Sequence, residues 1–579
     1  MNFTMNKNNP FIKNLVAQMS IEEKIGALLT LGFAGTVPQR HIFAFVEKYH
    51  CGGLRLSCDT RVFGSYVDPS NEKAAFSFAE KTGCKYESSP PCVSASEYKA
   101  VLDSLQAAAR RRRHSIPLHF SFDQEGGTSA DFSFGGVNIF PKPMGIRATN
   151  DVNIAYEVAR ATAAQSLAVG FNWIHSPVLD VNSEPKNPEI YTRAYSDNAD
   201  EVSEYAIASC RGFKDGKMIA TGKHFPGRGH SDSDAHFGLP TIDVDYETLQ
   251  KRELLPYKKL IEQDLLPSIM VAHSMFPALD TEFMATVSKK ILTGLLREQM
   301  GFEGVIATDS MTMGAIAKTY GVANACAMSL AAGADLVLMK AETSLVDEVF
   351  AAIRAFVDDG RIPLQELDEK VYRVLQTKYE YGLFGHMQDT DESPQAVINR
   401  PGIRALAALV ARRSVLIARQ EASALPLARS EKILVVEQKV KHYNTMQWHS
   451  GILYEQCQLY GDNVRYLETD YTYDESDKQQ IIDFAQEADT IVFTNYFIRG
   501  KRCNTSWISD FIKTAKQKII LITNTPYEEL SIPENALNVI VTFASSPENV
   551  RVCAGTLFGE MHPEGVWPLS KPLAPAKKR

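Results

Sequence analysis

The sequence predicts an α/β chain in two parts, a (β/α)8 barrel of the TIM type followed by an α/β sandwich. Three observations carry that expectation. Short apolar runs ending in polar or glycine-rich residues recur eight times in the first two thirds of the 579 residues. Helix-period segments separate most of them, which is the signature of parallel strands joined by helices. A polar stretch then precedes a second alternation of the same kind.

The eight runs are IGALLTLGF (25–33), CGGLRL (51–56), PLHFSFDQEGG (117–127), FNWIHSPVLDVN (171–182), KMIATGKHF (217–225), PSIMVAHSMF (267–276), GVIATDSM (304–311) and ADLVLMK (334–340). Between them, IAYEVARATAAQSLAVG (154–170), YETLQKRELLPYKKLIEQ (246–263) and SKKILTGLLREQMG (288–301) have helical spacing. Eight units over roughly 380 residues suit a barrel with insertions; an open doubly wound sheet is the alternative. After VYRVLQTKYEYGLF (371–384) the polar stretch 386–402 reads as a linker. The runs RSVLIARQ, EKILVVEQ, ADTIVFTNYF, QKIILITNTP and LNVIVTFASS then predict five parallel-type strands. The resulting division is a catalytic barrel domain over 1–385, the linker, a sandwich over 403–570 and a disordered Pro- and Lys-rich tail over 571–579.

Composition narrows the function. With 45% hydrophobic and 22% charged residues the chain is globular, neither disordered nor fibrous. A net charge of −8 and a pI near 6.0 give no basic field for nucleic acid, and the run Arg110 to Arg113 reads as the wet end of a helix. The polar N-terminus lacks the apolar core of a signal peptide, and no apolar run is long enough to span a membrane, so a cytoplasmic protein is expected. Nine scattered cysteines fit reduced thiols better than a disulfide framework.

In a barrel, chemistry gathers after the C-terminal ends of the strands. Polar residues fall there: Asp123 and Glu125, Asp180 and Asn182, Lys223 and His224, His273, Asp309, and Lys340. Any one of them taken alone reads as a helix cap or turn residue. The densest stretch is GKHFPGRGHSDSDAH (222–236). Its His224, His230 and His236 with Asp232 and Asp234 are metal-ligand types, but no HExxH spacing occurs. Its GRG lacks the rest of a phosphate loop. The third reading is a loop carrying a proton-transfer pair, in which Asp234 orients and stabilises the imidazole of His236.

KHFPGRGHSDSDAHFGLP (223–240) resembles the loop KHFPGxGxxxxDSHxxLP of bacterial β-N-acetylhexosaminidases in glycoside hydrolase family 3. DQEGG (123–127), SPVLDVNSEPKNP with the arginine of YTRAYS (176–196), VAHSMFPALD (271–280), GFEGVIATDSMTMGAI (301–316) and LFGEMHPEGVWPLS (557–570) are similar to that family's other landmarks, in order. The resemblance implies a retaining double displacement with Asp309 as nucleophile and His236, backed by Asp234, as acid and base. It places Asp123, Arg193, Lys223 and His224 on the terminal sugar, with His273 and Asp180 contacting or bracing it. It implies a small carbohydrate substrate, no cofactor and no metal; no nucleic acid or membrane partner is expected.

Two departures stand out. Where the family continues DQEGGRVxRF, this chain reads DQEGGTSADF, so Thr128 and Asp131 replace arginines. A long excursion over 57–97, holding Cys58, Cys84 and Cys92, follows the second strand and reads as a substrate-side insertion. The expected activity is exo-acting β-N-acetylglucosaminidase, with a β-glycoside phosphorylase, a β-glucosidase or β-xylosidase and a non-catalytic sugar-binding protein as the rivals.

Overall fold

A computed structural model describes residues 8–57, 94–234, 238–340, 345–385, 392–438, 451–499 and 503–577. Within it, eight parallel strands close into a barrel, each bonded to the next and the last to the first. They are β1 (Leu29–Ala34), β2 (Gly53–Ser57), β3 (His119–Phe122), β4 (Trp173–Ile174), β5 (Ile219–Phe225), β6 (Ser268–Val271), β7 (Val305–Ser310) and β8 (Leu336–Leu338). Each anticipated run holds one barrel strand, and closure excludes the open sheet. The first strand starts later than its apolar run, because Ser20 and Glu23 form a capping box that winds Ile21–Ala27 into a helix.

Helical spacing also translated into helices, with proline setting one break. The segment 154–170 is the helix Val152–Val169, ended by Gly170 in the left-handed region. The segment 246–263 splits into Tyr246–Lys251 and Leu255–Ile261, since Pro256 can open a helix but not continue one. Lys290–Gln299 winds with π-type bonding. Arg112 donates from the end of the helix Ala95–Arg110 to the Cys51 carbonyl at 2.9 Å, while its three arginine neighbours are exposed.

The second sheet has six strands, β9 (Leu416–Arg419), β10 (Lys432–Gln438), β11 (Asn463–Thr469), β12 (Thr490–Thr494), β13 (Lys518–Thr523) and β14 (Val539–Val541), in the order β9-β14-β13-β12-β10-β11. Period-2 alternation sends Leu434, Val436, Ile491 and Phe493 into one apolar layer and Ile433, Val435, Val492 and Ile520 into the other. The expectation of five parallel strands needs two corrections. The edge strand β11, NVRYLET, escaped notice because it is polar and half-exposed. The first strand, β9, runs antiparallel to β14.

The described parts of two segments read as irregular, 392–402 and 571–577, are ordered. Within 386–402, Ser393 caps the helix Pro394–Ile398, and a second helix begins at Pro401; both prolines occupy first turns, where the missing N–H costs nothing. In 571–577, Leu573 packs on the second sheet's core, the Ala574 carbonyl accepts from Arg419 and Lys577 pairs with Glu534 at 2.6 Å. The tail is held because it carries its own apolar anchor and acceptors for neighbouring cations. Most of the 57–97 excursion lies outside the described residues, as do Cys58, Cys84 and Cys92. The six described cysteines are unpaired. Among the described residues no helix is long and apolar enough to cross a membrane.

The second domain rests on the C-terminal rim of the barrel. Asn182 donates to the Tyr527 hydroxyl at 2.8 Å, and the Tyr191 ring meets Phe497 edge-on at 4.9 Å. The backbone of Val566 donates to Ala148 at 2.7 Å.

Candidate functional site

The polar strand ends converge on one charged network. Asp123 follows β3, and Glu125 lies in a short hairpin after it, where Gly126 adopts φ +108° with its Cα closely covered: a Cβ there would sit 2.4 Å from the Pro141 carbonyl. Lys223, near the end of β5, bridges both carboxylates, 2.7 Å from Asp123 Oδ1 and 2.6 Å from Glu125 Oε1. Arg193 grips Glu125 bidentately at 2.7 and 2.8 Å. Its Nη2 also stands 3.3 Å from His224 Nε2, and His224 Nδ1 lies 2.7 Å from Asp180 Oδ2. The tautomer that satisfies both contacts carries its proton on Nδ1, donating to Asp180, and accepts from Arg193 at Nε2.

The loop after β5 continues the network. Arg228 donates its backbone N–H to Asp180 at 2.8 Å, and its Nη2 lies 2.9 Å from Glu189 and 3.6 Å from Asp309 Oδ2. The following glycine serves close packing rather than phosphate: a Cβ on Gly229 would lie 1.8 Å from the Val181 carbonyl. Asp309, near the end of β7, accepts the Ser310 N–H at 2.7 Å, and its side chain keeps 14% exposure. It does not cap the next helix, Gly314–Tyr320, whose cap position is Met313. From the second domain Arg499 reaches in, its Nη1 3.4 Å from Glu189 and its Nε 3.4 Å from Asp234 Oδ2. The ion pairs thus run unbroken from Asp309 through Arg228, Glu189 and Arg499 to Asp234.

Electrostatics follow from burial and pairing. Burial pushes the Asp123 carboxyl up, but Lys223 and Arg55 outweigh it and hold it well below the usual range. Burial likewise raises Glu125, yet Arg193 and Lys223 hold it down to about 2. Asp180 goes the other way: burial lifts it to about 6 against the pull of Arg228. Burial, then Arg228 and Arg193, keep His224 well below the ordinary imidazole value, which suits the neutral tautomer above. Lys142 is buried with its ammonium on the Tyr191 hydroxyl, and burial followed by Arg193 pushes it down to about 7.

Glu125 makes this testable. A carboxyl lowered on folding adds stability above its ordinary value of 4.5, and that stability is lost as pH falls through about 2. In Glu125→Gln, Lys223 and Arg193 lose their shared counter-charge, at a cost of about 3–5 kcal/mol. Urea melts followed by circular dichroism should show that loss at neutral pH, narrowing as the wild type is acidified.

Of the expected site residues, Asp123, Arg193, Lys223, His224, Asp309 and Asp234 fall on this network, with Asp180 behind His224. His236 lies outside the described residues. For His273 the sequence leaves contact with the sugar and bracing of the site both open. His273 is fully buried, with Nε2 donating to the Ser310 carbonyl at 2.9 Å and Nδ1 2.7 Å from the Thr286 hydroxyl, so it braces the strand end bearing Asp309. His230 faces Ser183 at 2.9 Å, apart from His224. Among the described residues the three-carboxylate cluster Asp470, Asp474 and Asp477 belongs to the second domain, where Asp474 and Asp477 form a helix capping box.

The glycosyl hydrolase family 3 N-terminal domain matches residues 20–377, the whole barrel and its rim. This chain belongs to that family. Beta-hexosaminidase A of Pseudoalteromonas piscicida is 30% identical over 300 residues, which cover 48% of this chain and 50% of that protein. The family 3 chain thus spans half the length of that relative. The beta-N-acetylglucosaminidase/beta-glucosidase of Cellulomonas fimi is 28% identical over 442 residues, 74% of this chain and 70% of that one. A family 3 beta-N-acetylglucosaminidase from Paenibacillus sp. str. FPU-7 shares the fold with a TM-score of 0.81 at 25% identity, over 95% of this chain and 99% of that one. The two-part fold and the family resemblance read from the motifs are therefore both borne out.

Four residues of the network went unread in the sequence. Glu189 falls between the SPVLDVNSEPKNP and YTRAYS motifs and Arg228 inside KHFPGRGH, and neither carries a spacing signal. Arg499 comes from another domain. Arg55 alone left a trace, a lone cation inside the apolar run CGGLRL.

Proposed function

We propose that this family 3 protein is a retaining, exo-acting β-N-acetylglucosaminidase. Asp309 attacks the anomeric carbon of a terminal sugar while His236 gives its proton to the departing glycosidic oxygen. The glycosyl-enzyme is then cleaved by water, whose proton returns to His236, and Asp234 holds the imidazole throughout. One observation supports this reading most: ion pairs link Asp309 to Asp234 through Arg228, Glu189 and Arg499. The freedom of Asp309 from a capping role supports it, as do the names of the relatives. The six described cysteines, none of them in a disulfide, support a reducing compartment, and with it imported glycans as substrate.

A second reading rests on Arg228. It is buried, and its Nε and Nη1 have no hydrogen-bond partner among the described residues while Nη2 faces Asp309. Such a cation would welcome an anionic acceptor, making the protein a phosphorylase. A panel of nitrophenyl glycosides with and without phosphate separates the readings. The expected result is release from the N-acetylglucosaminide at least about 10-fold faster than from glucoside or xyloside, unchanged by chelator. Phosphate-dependent formation of sugar 1-phosphate would select the second reading instead.

A further inference from the structure

Arg55 occupies the middle of β2, a strand with every residue buried, where barrels place branched apolar side chains. A guanidinium there survives only if paired. It is paired twice through one nitrogen: Nη2 contacts Asp123 Oδ2 and lies 2.7 Å from Asp131 Oδ2. Its Nη1 donates to the Leu56 carbonyl, and Nε has no hydrogen-bond partner among the described residues. Asp131 does a second job, accepting the Asp123 backbone N–H at 2.6 Å. The arginines expected near position 131 are absent, and a cation instead comes up from the barrel interior.

We propose that Arg55 and Asp131 form a positioning pair that sets the geometry and charge of Asp123 and so the affinity for the terminal sugar. This rests on the reading of the site as a glycosidase pocket. Asp123 is held at both oxygens, Oδ1 by Lys223 and Oδ2 by Arg55, and its side chain keeps 25% exposure toward the barrel mouth. A carboxylate clamped in that way presents fixed acceptor lone pairs to sugar hydroxyls with little ordering left to do on binding. Asp131 fixes the clamp by bracketing both the guanidinium and the backbone of residue 123. Both members act on Asp123, which the proposed mechanism gives no part in bond making, so the pair acts on binding rather than on bond cleavage.

The test is a double-mutant cycle on the full chain: Arg55→Leu, Asp131→Leu and both together, each assayed for kcat and KM on the best nitrophenyl glycoside. Arg55→Leu should raise KM about 100-fold with kcat changed far less, since it removes a hydrogen bond to a charged group and leaves two carboxylates facing each other. The double variant should lose much less than the product of the two single losses, because the pair acts as a unit. Arg55→Lys should recover part of the affinity by restoring the charge. Independent, multiplying losses, or losses confined to kcat, would overturn the pairing. Should Arg55→Leu fail to fold, Arg55→Lys and Asp131→Asn supply the same comparison with smaller shifts. A wild type that cleaves no glycoside overturns the glycosidase reading as well; a wild type that cleaves without the coupling overturns this proposal alone.

Discussion

Asp309→Ala is expected to lower kcat/KM by about 10,000-fold or more while leaving the fold intact. The size of the effect follows from the part proposed for this carboxylate. It forms and breaks the bond to the anomeric carbon, and no neighbour can substitute, since Asp123, Glu125 and Glu189 are each tied to buried cations. Stability should scarcely move. Asp309 caps no helix, and Arg228 keeps Glu189 at 2.9 Å when Asp309 is removed, so no buried charge is stranded. Thermal melts of the variant should therefore overlay the wild type, which separates loss of chemistry from loss of structure.

Two further measurements make the assignment specific. A 2-deoxy-2-fluoro glycosyl donor with a good leaving group should label the wild type in stoichiometric amount, and peptide mass spectrometry should find the label on Asp309. Added azide should partly rescue Asp309→Ala, because a small anion fits the space of the missing carboxylate and captures the same carbon, giving a product of inverted configuration. Label on another carboxylate would reject Asp309 as the nucleophile.

The barrel was legible because its eight strands are buried on both faces, and burial writes itself into sequence as apolar runs. The strand ends were legible too, since Asp123, Lys223, His224 and Asp309 directly follow or terminate those runs. What escaped was information that burial does not encode. The strand β11 is an edge with a wet side, so its pattern resembles a loop. The helices at Pro394 and Pro401 hide behind residues that ordinarily mark breaks. Arg499 lies 265 positions beyond Asp234, and the docking of the second domain, with Phe497 on Tyr191, brings it to the mouth. His273 stayed open between contact and bracing because a buried histidine after a strand looks the same in sequence whether it faces a ligand or a neighbouring carbonyl.

The second large effect concerns Asp234. Asp234→Asn keeps the size of the side chain and removes its charge, and kcat/KM on a natural glycoside should fall about 100- to 10,000-fold. An imidazolium next to a carboxylate holds its proton to higher pH; without that carboxylate it releases the proton sooner. Since the first step needs the protonated acid, the alkaline limb of the kcat/KM profile should move to lower pH. Aryl glycosides whose leaving group needs little protonation should lose much less in that step, so the penalty should grow as the leaving group becomes more basic. Arg499 supplies the opposing control. Its guanidinium lies 3.4 Å from Asp234 and weakens the field that carboxylate exerts on its surroundings. Arg499→Leu should therefore move the same limb to higher pH, with a modest change in rate. If both variants shifted the limb in one direction, or neither shifted it, Asp234 would not be the partner of the proton-transferring group, and the acid and base would have to be sought elsewhere on the rim.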